Sequence, residues 1–160
     1  MKAVALTPRV PDSCRLIHVP EPSLSSVLDE RGVLVRILKV GIGAADKALL
    51  QGRIGTAPEW SDYLIMGHEN LGIVEEVAPG VHELVPGDIV VGMVRLPGTS
   101  IYDRIGAPDL SSDSDHFERG INRMHGFFTQ WHVDKPDFLV KLPPVLTDVG
   151  LLLTPLSMIE

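Results

Sequence analysis

Cysteine is almost absent from this 160-residue chain, with Cys14 standing alone. One thiol excludes an intrachain disulfide and a structural zinc site built from four cysteines. That usage fits a cytoplasmic setting. The N-terminus agrees, because MKAVALTPRVPDS carries only a short apolar run before Thr7 and Pro8, less than a secretory signal core requires. Long apolar runs are missing as well; none approaches the ~18 residues of a membrane-spanning helix, so no membrane partner is expected. Positive charge is scarce, with 14 Lys+Arg against 21 Asp+Glu, a net charge of −7 and no basic cluster. Such a surface repels phosphate backbones, which argues against nucleic acid. Internal repeats, low-complexity tracts, a nucleophile elbow, a phosphate loop and H-E-x-x-H are all absent.

What is present is ordinary for a soluble globular protein, 44% apolar and 22% charged. The length suits one domain, and a domain of this size hides roughly 70% of its unfolded surface. Short runs rich in Val, Ile and Leu, broken by Pro and Gly, predict strands at 2–7, 14–20, 32–42, 72–78, 88–94, 126–134 and 137–143. Pro79-Gly80 and Pro86-Gly87 suit the centres of type II turns, proline presetting φ and glycine accepting a positive φ. A short helix is expected at 44–51 with Gly52 as its stop. Residues 96–125 are polar, rich in Asp, Ser and Gly, and without period, which predicts a long loop. From Thr147 a helix entry runs to Glu160 without a C-terminal stop, so the chain is expected to be a fragment of a longer one.

Three stretches could carry chemistry. VGIGAAD (40–46) has the outline of a dinucleotide loop, but Asp46 stands where a pyrophosphate would lie and repels it. Gly41 and Gly43 therefore read as turn residues. His68 and Glu69, between Gly67 and the strand LGIV, point to opposite faces unless the backbone turns at Gly67. A zinc site needs three or four donors, and Asp46, Glu118, His125 and Glu160 are the further candidates. The polar stretch 115–128 gathers His116, Glu118, Arg119 and His125, either as a solvated face or as binding groups on a loop. Trp60 and Trp131 read as packing residues and Cys14 as a buried thiol.

In combination, VGIGAAD, GHENLGIVEEVAPGV and LVPGDIVVGMV resemble the N-terminal, GroES-like catalytic domain of the medium-chain (zinc-type) alcohol dehydrogenase family. The resemblance covers Met1 to Glu160. FERGINRMHGFF and LLLTPLSMIE are most similar to the archaeal-type glucose (aldose) dehydrogenase branch. The resemblance implies a mainly β fold, a GroES-like partly open β-barrel with a few short helices. It implies that 1–160 is the catalytic domain of a longer dehydrogenase, ending at the entry to a Rossmann domain that would bind NADP or NAD. It also implies a small sugar or alcohol substrate, hydride transfer to the nicotinamide, a zinc ion, and a possible homo-oligomer.

Carried over residue by residue, the family's first zinc ligand falls on Gly43 and its proton-path hydroxyl on Ala45. Asp46 is kept as a catalytic-site residue; His68 and Glu69 match the next metal ligand and its acidic neighbour. The further Glu or Gln ligand falls on Thr154, and Glu118 matches a position that contacts sugar hydroxyls. The pattern implies a degraded zinc site. Without a cofactor domain the isolated chain is not expected to transfer hydride. The alternatives are a non-enzymatic GroES-like binding or assembly module, or a zinc-independent reductase.

Overall fold

The computed structural model describes residues 1–27, 30–107, 110 and 116–157. In chain order the elements are β1 (Lys2–Leu6), β2 (Arg15–His18), β3 (Val33–Gly41), α1 (Ala44–Leu50), β4 (Leu64–Ile65), β5 (Glu69–Val77), β6 (Ile89–Gly92), β7 (Arg95–Leu96), α2 (Ile101–Arg104), β8 (Phe117–Arg119), β9 (Arg123–Met124), β10 (Trp131–Asp134), β11 (Leu139–Leu142) and α3 (Leu153–Ser157). They form a five-stranded sheet in the order β10-β3-β5-β6-β11, and two three-stranded sheets, β2-β1-β4 and β7-β8-β9. The expected mainly β architecture with a few short helices is borne out.

The core lies inside the large sheet, where Val33, Val35, Val74, Val81, Leu84, Val90 and Leu139 pack together. The first residues of β3 alternate as the sequence pattern requires, with Val33 and Val35 fully buried and Arg36 exposed. The register of β3 on β5 shifts between Ile37 and Lys39, and from that bulge onward Leu38, Lys39 and Val40 are all exposed. A second cluster, Leu6, Leu49, Leu64 and Met66, fastens α1 to the small sheet. Each of these fully buried leucines contributes roughly 1.5–3 kcal/mol of apolar burial.

The strand core is where expected, but several local readings change. Val85-Pro86-Gly87-Asp88 closes a turn with Gly87 at φ 95°, as a type II turn demands. Ala78-Pro79-Gly80-Val81 also closes, yet Gly80 is not among the positive-φ glycines. Its glycine is required for a different reason: a Cβ there would sit 2.8 Å from the Glu30 carbonyl oxygen. The stretch 96–125 is not one loop. It contains α2 and, with Arg95, the short strands β7, β8 and β9, whose two- and three-residue lengths leave no period to read.

Cys14 is exposed rather than buried, because it enters β2, an outer strand of its sheet. Trp60 is 77% exposed and so is not a core residue. The strand expected at 126–134 is regular only as β10. Ahead of it, the N–H groups of Gly126, Phe127 and Phe128 donate to the carbonyls of Ile65, Gly67 and Met66.

Candidate functional site

Those last three hydrogen bonds pin the segment that presents His68. Gly67 has φ 97°, and a Cβ there would strike the ring of Phe128, so only glycine makes this turn without strain. The turn rotates His68 out of strand alternation and brings it beside Glu69, with Nε2 3.8 Å from Glu69 Oε1. The convergence that the sequence allowed only with a turn at Gly67 is thus present.

Asp46 approaches from the other side. It lies in the first turn of α1, where its Oδ2 accepts the Gly43 N–H at 2.9 Å and holds the helix entry. The same oxygen stands 3.4 Å from His68 Nδ1. Asp46 is fully buried and His68 nearly so, and Asp46 Oδ1 has no hydrogen-bond partner. The Asp46 carboxylate, helped by Glu69 and Glu118 and opposed by burial, holds the His68 imidazole above its ordinary value.

His68 forms part of the wall of a cavity of about 580 Å³, together with Ala45, Met93, Arg95, Glu118 and Thr154. Glu118 reaches it from β8, with Oε1 3.7 Å from Arg95 Nη1 and Oε2 3.6 Å from His116 Nε2. The wall also includes Val91 and Gly92 of β6. It is locked to β5 by the buried Asn70, whose side chain both donates to the Gly92 carbonyl and accepts its N–H.

The polar stretch 115–128 therefore divides. Glu118 and, through it, His116 belong to the cavity. Arg119 points inward instead and forms a buried ion pair with Asp134 of β10. His125 does not line the cavity: its Nδ1 accepts the Ile65 N–H at 3.2 Å, and its ring lies between Tyr63, stacked, and Trp60, edge-on. Glu160 and residues 108–109 and 111–115 lie outside the described residues. Sequence reasoning missed Arg95 and Asn70. Arg95 meets Glu118 only through the β7–β8 pairing, and no spacing along the chain reports that contact.

The residues present do not form a zinc cage. Gly43 has no side chain, Ala45 no donor atom, and Thr154 only a neutral hydroxyl. That leaves His68 and Glu69 as two donors where zinc takes at least three from protein. Among the described residues, no three His, Cys, Asp or Glu side chains converge as a metal site would require.

Residues 29–144 match the family of alcohol dehydrogenase GroES-like domains. The chain is 44% identical, over 162 residues, to glucose 1-dehydrogenase of Methanocella arvoryzae, covering 100% of this chain and 44% of that protein. It is 40% identical to glucose 1-dehydrogenase of Thermoproteus tenax, again covering 100% of this chain and 44% of the relative. Among solved structures it resembles Haloferax mediterranei glucose dehydrogenase in complex with NADP, Zn and gluconolactone, with a TM-score of 0.82 and 36% identity over 95% of this chain and 42% of that one. The chain spans less than half the length of the relatives it matches.

Proposed function

This chain belongs to the family of alcohol dehydrogenase GroES-like domains, and from that membership we propose that it is the substrate-side domain of an NAD(P)-dependent oxidoreductase acting on a sugar or polyol. The observation that carries the reading is that His68 and Glu118 line one cavity of about 580 Å³, a volume suited to a small ligand. The glucose dehydrogenases among the relatives support the sugar class.

In this reading Glu118 accepts hydrogen bonds from sugar hydroxyls at the cavity wall, in a place set by Arg95 and His116. His68 hydrogen-bonds the oxygen at the reacting carbon, and Asp46 fixes the orientation of its ring. The apolar wall from Val91 to Met93 excludes water from that carbon. A bound NADP or NAD would take the hydride, and its binding domain belongs to the remainder of a longer chain. The exposure of Val145, Val149, Leu152 and Leu156 near the end of the described residues fits an apolar face covered by such a domain. Oligomer formation would be a property of that longer protein. No helix among the described residues is long and apolar enough to cross a membrane.

A second reading is favoured by Gly43, Ala45 and Thr154, which lack the groups expected in a zinc-dependent enzyme. On that reading the domain binds a sugar or a partner without catalysis, or serves a zinc-independent reductase. Saturation-transfer NMR with D-glucose, D-galactose and a non-sugar alcohol tests the sugar assignment. We expect transfer to the aldoses that is lost in Glu118→Gln. Equal transfer in the variant, or none to any aldose, would sink it.

A further inference from the structure

The disagreement between the donor set and a zinc site can be traced to one position. Gly43 precedes α1 with φ −113° and ψ −172°, an extended backbone that any L residue adopts. A Cβ built there would stand 2.9 Å from Glu69 Oε1, 3.2 Å from His68 Nε2 and 3.4 Å from His68 Cε1. The position is thus aimed between the two remaining donors. The tightest of its contacts is the end of a flexible carboxylate, which can move aside, while the nearly buried His68 ring must give by a few tenths of an ångström. Gly41 is the opposite case: a Cβ there would press on Glu69 Cβ and Cδ, both at 2.9 Å, so it must stay glycine to admit Glu69 at all.

We infer that this chain does not hold zinc at His68 and Glu69, and that the missing side chain of Gly43 alone is what prevents it. An aspartate or cysteine at 43 would bring a third donor to His68 Nε2 and Glu69 Oε1, with solvent completing a four-coordinate ion on the cavity side. Thr154, on α3 in the cavity wall, is not needed for that minimum. The inference rests on the family reading for the choice of position 43 and for the identity of the metal. Its distances come from this chain.

The test uses zinc alone. Wild type, His68→Ala, Gly43→Asp, Gly43→Cys and Gly43→Asp/His68→Ala are loaded with zinc, dialysed, and assayed by elemental analysis, with circular dichroism as the check on folding. Zinc retained by His68→Ala is the surface background. We expect wild type to match that background, Gly43→Asp or Gly43→Cys to retain stoichiometric zinc, and the double variant to return to background. Stoichiometric zinc in wild type that is lost in His68→Ala would overturn the inference. So would two folded position-43 variants at background, and so would failure of both to fold, since the position would then not accept a side chain. Aldose binding is not part of the readout, so failure of the sugar reading leaves a different signature.

Discussion

Two regions of this molecule bury a histidine near an aspartate, and they handle the charge in opposite ways. At the cavity, Asp46 faces His68 directly and favours the imidazolium. Inside the large sheet, Asp134 pairs with Arg119, and His132 has neither ring nitrogen hydrogen-bonded, with the Phe127 ring and the Arg119 charge nearby. Burial, reinforced by that cation, pushes His132 down to about 3. The same residue type gives a chargeable group beside a cavity and a neutral one in the core, and the difference is set by what each ring faces, a carboxylate in one case and a cation in the other.

The largest loss of stability is expected in the core. Arg119→Leu leaves the Asp134 carboxylate buried without its partner, and we expect a loss of about 3–5 kcal/mol in urea unfolding. The equivalent cut at the cavity, Asp46→Ala, removes the acceptor for the Gly43 N–H and should cost about 1–2 kcal/mol. If the two losses were equal, the distinction between a core pair and a cavity pair would fail.

Acidity separates the regions by sign. His132 has a folded-state value well below its ordinary 6.5, so the unfolded chain binds the extra proton between about pH 6.5 and pH 3. Its stabilisation is complete above that window and drains away by up to roughly 1.4 kcal/mol per unit as pH falls through it. Asp134, raised by burial, works the other way in part of the range, so the contribution is isolated by comparison with His132→Leu. That variant should show a flatter loss of thermal stability between pH 6 and 4. His68 lies above its ordinary value; its contribution is present below pH 6.5 and is lost as pH rises through the folded-state value, a slope that His68→Asn should remove. Matching slopes in the two variants would contradict the assignment.

The smallest expected effect on stability is also the sharpest on function. Glu118→Gln is a nearly isosteric change at a part-exposed cavity wall, so its unfolding free energy should stay within about 0.5 kcal/mol of wild type. Its aldose contact should nevertheless disappear.

Much of this was legible in the sequence. Proline and glycine breaks marked the strands of the large sheet, and helix α1 with its Gly52 stop lies within one residue of the expected span. His68, Glu69 and Asp46 stand out in the sequence as donor types, and the resemblance to the family is what assigns them to one site. What could not be read was set by contacts distant in sequence. The Arg95–Glu118 meeting depends on two strands of two and three residues. The inward turn of Arg119 depends on Asp134, and the exposure of Cys14 on which strand lies outermost. Composition likewise cannot reveal that Gly43 is aimed at His68 and Glu69, since that is a fact of direction in space.

The sugar recognition proposed for this cavity runs through Glu118 with no metal between His68 and the ligand. Aldose binding measured by NMR in the presence of EDTA tests it most directly. The expected result is the same D-glucose signal with and without chelator, and loss of that signal in Glu118→Gln. A signal abolished by EDTA and restored by zinc would contradict it.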